Sequence, residues 1–324
     1  MAYLNQTKGF YYLCSAGAPG EQRYENAMNQ LISKDRIGLF VTLGYLAIIF
    51  GLLIAENGAP ASVPTEAREI SLLKAAQVIT STLLFIVPVT LFCRFLRPER
   101  SAFLQMNSMP HFYFIITAAA CIFFALPAVA GLEQWNQLIH LPSSLSGTET
   151  WMQQKEKDAE KIYMAFFEDK SGLGLLVNLL VMGLVAALSE ELFFRGLVQR
   201  ILIKNNINPH VSIFIAAALF SAIHMQFYGF LPRLFLGLVL GYLYFITQNL
   251  WVAIAAHFFN NAFAIIEVHL FSDEMTEAAN KAKEGDHNLG IAFVLLSFAM
   301  VAGQLYFLHR MVNRVKLPPP SGSE

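Results

Sequence analysis

Eight stretches of this chain reach or approach the roughly 17 to 25 apolar residues needed to cross the hydrocarbon core of a bilayer as an α-helix. They are 37–55, 72–95, 112–132, 173–194, 211–226, 231–247, 251–271 and 289–308, the fifth and sixth being the shortest. Inside lipid every backbone N–H and C=O has to be satisfied within the segment, which restricts such stretches to helices. The expectation is therefore an all-α polytopic membrane protein of about eight transmembrane helices. Composition agrees: 56% of residues are hydrophobic and only 14% charged, more apolar than a soluble globular domain. Nothing basic enough for a nucleic-acid partner is present, so the expected partners are membrane lipid and a membrane-borne substrate.

Residues 1–35 carry Gly, Pro, Asn and Gln without a basic start leading into an apolar run. They do not resemble a removable signal peptide and read as a soluble amino-terminal arm. A transmembrane domain then occupies 36–310, followed by a tail at 311–324. Cys14, Cys93 and Cys121 have neither disulfide nor zinc-ligand spacing, and the last two read as small hydrophobes.

Orientation follows from the short basic loops. Lys34 and Arg36, the group Arg94, Arg97 and Arg100, the group Arg195, Arg200 and Lys204, and the terminal Arg310, Arg314 and Lys316 all fall on one side of an eight-span arrangement. That side is the cytoplasmic one, with both termini on it. The opposite side receives the acidic connections, including 133–170. The second half of that connection mixes Lys and Glu with Trp151, Met152, Ile162, Tyr163, Phe166 and Phe167 at helical spacing. It reads as an amphipathic helix on the membrane surface, with a lid over a site entrance as the alternative. Pro88 and Pro127 imply kinks within spans, and Gly237-x-x-x-Gly241 is a signal for close helix packing.

Ionisable residues at membrane depth are costly and by default mark function. Glu190, Glu191 and Arg195 lie at the end of the fourth stretch, His224 in the fifth, and His257 and Asn261 in the seventh. Residues four apart share a helix face, so Glu191 can pair with Arg195, and His257 lies over Asn261. Adjacent Glu190 and Glu191 diverge by about 100° and cannot do the same job. Such a set suits hydrolysis. A poorly solvated carboxylate can serve as general base, while an imidazole and an amide can hold an oxyanion. Two imidazoles and a carboxylate also spell an open zinc site, with Glu190, His224 and His257 as the ligands.

In order and spacing, Glu190-Glu191-Leu-Phe-Phe-Arg195, Phe220-Ser-Ala-Ile-His224 and His257-Phe-Phe-Asn-Asn261 resemble the E-E-x-x-x-R, F-x-x-x-H and H-x-x-x-N/D motifs of the CAAX-protease and bacteriocin-processing family. That family consists of all-helical, eight-span intramembrane proteases and includes the prenyl-protein CAAX endopeptidase. The resemblance covers about 173–271. It implies that Glu190 is the catalytic base and that His224 shares the activated water. It further implies that Glu191 and Arg195 orient the site and that His257 and Asn261 bind the oxyanion. Both a glutamate-activated water and a zinc-assisted mechanism stay open. The implied substrate is a membrane-associated or lipidated protein, and the implied location a bacterial inner membrane. A non-catalytic scaffold or bacteriocin self-immunity protein of the same fold is the alternative, and a proton-coupled transporter finds no inverted repeat to support it.

Overall fold

A computed structural model describes residues 36–49, 66–96, 99–282 and 290–316, with side chains left out at 272–282 and 314–316. The expected arm, most of the first extracytoplasmic loop and the end of the tail lie outside the described residues. Among the described residues every regular element is a helix and there is no strand. We number the principal helices α1 (Arg36–Ile49), α2 (Ala67–Leu96), α3 (Arg100–Leu104), α4 (Phe112–Gln137), α5 (Ser146–Ala165), α6 (Gly172–Lys204), α7 (Pro209–Ala222), α8 (Phe230–Thr247), α9 (Leu250–Ala282) and α10 (Ile291–Lys316).

Six of these, α2, α4, α6, α8, α9 and α10, are long and apolar enough to cross a membrane. The protein is an integral membrane protein. Of the other two expected spans, α7 is a shorter apolar helix, and the described part of the first is the apolar helix α1. The stretch 211–226 ends early because the chain leaves the helix after Ala222 and turns through His224 and Met225 into a short 3-10 segment, Phe227–Gly229. Met225 takes a left-handed φ of 53°, a conformation that costs a non-glycine residue about 1 kcal/mol. The start of α7 is set by its sequence: Asn208 caps it by accepting from the His210 N–H, and Pro209 sits at the first helical position.

The fourth span differs most from expectation. Hydropathy ends it at Phe194, yet the helix continues to Lys204. Arg195, grouped above with the cytoplasmic loop residues, is fully buried in the protein and does not belong to any loop. Counted along the helix at 1.5 Å per residue, Glu190 lies about 21 Å before Lys204, near the middle of α6.

Both interior prolines are accommodated by neighbouring helices. Pro88 cannot bond the Leu84 carbonyl, and the Tyr45 hydroxyl of α1 donates to that oxygen at 2.7 Å. At Pro127 the Ser297 hydroxyl of α10 enters the helix ladder, donating to Phe124 O at 2.5 Å and accepting from the Ala128 N–H at 3.1 Å. Cys93 and Cys121 are free and buried.

Gly237 and Gly241 do bring helices together. A Cβ on Gly237 would stand 2.9 Å from the Ala217 Cβ, and one on Gly241 2.8 Å from Ile213, so α8 lies directly against α7. The α5 helix is not merely a surface helix. Trp151 packs on Phe227 with ring centroids 5.5 Å apart. Beyond its end, Phe166 and Phe167 enter a buried cluster with Ile70, Ile265 and Val268. The segment thus spans from the turn after His224 to the starts of α2 and α6.

Candidate active site

The polar set is gathered where α6, α8, α9 and the α7–α8 turn meet. Two π-helical stretches, Leu179–Val185 and Leu192–Gln199, bracket the six α-helical residues Ala186–Glu191. Such i→i+5 segments inside helices concentrate at functional sites. Here they flank the two glutamates on either side.

Glu191 and Arg195 form the ion pair their spacing implies. Arg195 Nη1 donates to Glu191 Oε1 at 2.5 Å, and both side chains have no solvent exposure. The pair is held from outside α6 as well. Arg195 Nη2 donates to the Gly237 carbonyl at 3.0 Å, and the guanidinium lies over the Phe220 ring, 4.8 Å from its centroid. One turn on, Gln199 donates to the Gly241 carbonyl at 3.1 Å. The absence of side chains at the two glycines is what allows α8 to offer its carbonyls at this range. Hydropathy and helix-face reasoning do not reveal this role, although the G-x-x-x-G spacing is a visible signal of close approach.

His257 connects the two carboxylates. Its Nδ1 lies 2.8 Å from Glu191 Oε1 and its Nε2 3.8 Å from Glu190 Oε2. An ionised Glu191, fixed by Arg195, can only accept, so Nδ1 carries the hydrogen. Neutral His257 then turns the Nε2 lone pair toward Glu190. At 3.8 Å the two groups are beyond hydrogen-bond range, and they attract only when a proton lies on one of them. The two adjacent glutamates differ in surroundings: Oε1 of Glu191 is held by Arg195 and His257, while Glu190 keeps 13% side-chain exposure and has no hydrogen-bond donor among the described residues.

His224 closes the set from the turn after α7. Its Nδ1 lies 2.8 Å from the Phe220 carbonyl, which can only accept, leaving Nε2 as a free acceptor in the neutral ring. Phe220 stands between the imidazoles, 5.1 Å from the His224 ring centroid and 5.7 Å from that of His257, both edge-to-face. Arg195 lies over the same ring, so Phe220 is the common support of three polar side chains. Asn261 lies one turn beyond His257 as expected. It donates to the Met182 carbonyl at 3.1 Å and accepts from Asn260 at 3.3 Å, which ties α9 to the first π stretch of α6 and leaves one amide hydrogen uncommitted.

The turn carrying His224 is braced from α4. Asn136 donates to Phe227 O at 2.9 Å and accepts from the Leu231 N–H at 2.7 Å. Arg233 donates to the Gln226 carbonyl and side chain at 3.1 and 2.5 Å, and its charge acts on Glu133, Glu156 and Glu190. On α5, burial pushes the Glu156 carboxyl above the usual range, against the pull of Arg233 and a hydrogen bond from the Tyr228 N–H. Arg233 is therefore held at the turn that carries His224.

A zinc ion bound by Glu190, His224 and His257 would require all three donors within about 2.0 to 2.2 Å of one point. Among the described residues no three His, Cys, Asp or Glu side chains are grouped to hold a metal ion.

Residues 172–263 match the family model described as type II CAAX prenyl endopeptidase Rce1-like. The match covers rather more than a quarter of the chain and includes all three motifs. It bears out the resemblance to the CAAX-protease and bacteriocin-processing family and supports a protease. No curated protein and no solved structure matches the chain.

Proposed function

We propose that this membrane protein, carrying an Rce1-like domain over residues 172–263, is an intramembrane endopeptidase that uses a glutamate-activated water on a membrane-associated or lipidated protein. The observation that carries the reading is the split between the two glutamates. Oε1 of Glu191 is bonded by both Arg195 and His257, while among the described residues the carboxylate of Glu190 has no hydrogen-bond donor and faces His257 Nε2 at 3.8 Å.

In this reading Glu190 takes a proton from water while the free Nε2 of His224 accepts a hydrogen bond from the same molecule. The hydroxide so formed attacks the scissile carbonyl carbon, and the carbonyl oxygen gains the negative charge. In the active form one further proton rests on His257 Nε2, which donates to that oxyanion and keeps the proton throughout, with the remaining amide hydrogen of Asn261 as a second donor. Glu190 then passes its proton to the departing amine as the C–N bond breaks. Arg195 and Glu191 take no part in bond making. They keep His257 in the tautomer that turns Nε2 toward Glu190. General-base catalysis of this kind contributes about 10²- to 10⁴-fold, and each well-placed oxyanion donor about 10²- to 10³-fold.

The remaining basic groups of the loops support a cytoplasmic location for both termini, and the bacteriocin-processing side of the family resemblance favours a bacterial inner membrane. The test is cleavage of a library of prenylated and unprenylated peptides by detergent-purified wild type and Glu190→Gln, with metal content measured on both. Cleavage that disappears in a folded Glu190→Gln protein and survives chelator is the expected result. Equal cleavage by both would remove Glu190 from the mechanism. Loss of wild-type cleavage on chelation, with one zinc per chain, would reassign Glu190 and the histidines as ligands.

A further inference from the structure

At the far end of α6 from Lys204 a cavity of about 520 Å³ opens between the starts of α2 and α6 and the segment following α5. Its polar lining consists of Ser71, Lys74, Glu168 and Asp169, and the rest of the wall is apolar, Leu173 and Gly174 among it. Lys74 is the unusual member. It belongs to a membrane-crossing helix, is only 8% exposed, and rests its ammonium 5.6 Å from the Phe166 ring centroid. Among the described residues it has no hydrogen bond or close ion pair. The Asp169 charge acts on it only from beyond contact. A buried ammonium left in this state is costly, and an anionic oxygen entering the cavity would satisfy it.

The remaining charges define what that anion belongs to. Glu168 and Asp169 face the same space, so a simple anion would meet two carboxylates and a simple cation would leave Lys74 unsatisfied. A zwitterion meets both demands. The Ser71 hydroxyl is already donated to Ala67 O at 2.8 Å, which leaves its oxygen as a further acceptor for an N–H donor. Location adds the last constraint. Lys74 lies about 10 Å along α2 from its first residue, toward one end of this 30-residue membrane-crossing helix. Leu72, Leu173 and Leu176, at 61%, 68% and 51% exposure, present an apolar surface beside it.

We infer that this cavity is a binding site for one phospholipid with a phosphoethanolamine headgroup, its phosphate on Lys74, its primary ammonium on Glu168 and Asp169, and its acyl chains along the exposed leucines of α2 and α6. Choline cannot donate to the carboxylates, and a glycerol headgroup brings no cation to them, so both bind more weakly. The site is separate from the glutamate and histidine residues, and its occupancy ties α2, α6 and the end of α5 at one point.

Native mass spectrometry of the full chain released from nanodiscs of equal phosphatidylethanolamine, phosphatidylcholine and phosphatidylglycerol tests this. Wild type is expected to retain one phosphatidylethanolamine over the other two by roughly tenfold, the worth of one charge-assisted hydrogen bond. Lys74→Met and Glu168→Gln should each abolish the preference, and Lys74→Arg should keep it. Glu168 is exposed, so its variant preserves the test if Lys74→Met fails to fold. Equal retention of the three lipids by wild type, or an unchanged preference in Glu168→Gln, would overturn the assignment. So would displacement of the lipid by millimolar inorganic phosphate, which would make the site one for a free anion.

Discussion

Removing the Arg195 guanidinium tests whether the buried pair organises the site or only fills it. In Arg195→Met the Glu191 carboxylate, with no solvent exposure, loses its 2.5 Å partner and keeps only His257. The Gly237 carbonyl loses a donor, and Phe220 loses a cation from its face. Hydrogen bonds between membrane helices average about 0.6 kcal/mol, so the lost bond to Gly237 is a minor part. Stranding one partner of a buried ion pair is worth about 3 to 5 kcal/mol and decides the outcome. Neutralising the stranded group should undo most of this, because the uncharged amide that Glu191→Gln places in the double variant Glu191→Gln/Arg195→Met still offers His257 Nδ1 an acceptor. Unfolding in detergent, followed for wild type, both single variants and the double, gives the coupling directly. We expect each single variant to lose about 3 kcal/mol or more, and the double to lose less than Arg195→Met alone. Activity should stay low in all three. Additive single losses would mean that the two side chains do not depend on each other, and the account of how His257 is oriented would fail with it.

Glu190→Gln should leave unfolding unchanged and lower peptide hydrolysis by about 10²- to 10⁴-fold; measurable activity near wild type would contradict the split between the glutamates. Gly237→Ala forces a Cβ to within 2.9 Å of Ala217, an overpacking worth about 1 to 3 kcal/mol. Thermal unfolding should show that loss, and Ala217→Gly in the same chain should recover part of it. Tyr45→Phe removes the donor to Leu84 O and should cost about 1 kcal/mol without altering catalysis, read by unfolding and peptidase assays together.

Much of the site can be read from spacing alone because helical geometry is local. Glu191 meets Arg195 four residues on, and Asn261 sits one turn from His257, as any helix requires. Contacts between helices are not legible in the same way. The chain's hydropathy falls at Arg195 and Gln199, which ends the fourth span on paper. In the folded protein the carbonyls of Gly237 and Gly241 absorb those polar groups, and α6 runs on. His257 reaches back to both glutamates, across 66 residues to Glu191, and no periodicity encodes that reach. By contrast, the start of α7 has a local signal in Asn208-Pro209, which a reading by apolar run alone does not use. The two prolines carry half of their message: kinks are legible, but Tyr45 and Ser297 as the groups that serve them depend on which helices end up adjacent.

The shortness of α7 has a consequence for the surrounding lipid. Its fourteen residues, Pro209–Ala222, extend about 21 Å, against a hydrocarbon core of about 30 Å, and Val211 and Phe214 on its outer surface are 48% and 53% exposed. Lipid beside α7 therefore has to shorten to match it, a hydrophobic mismatch that costs a fraction of a kcal/mol per ångström. The depression so formed lies beside the turn that holds His224. It brings the polar headgroup region toward the His224 imidazole and makes the thickness of the host bilayer a determinant of how readily water and a lipid-anchored chain arrive there.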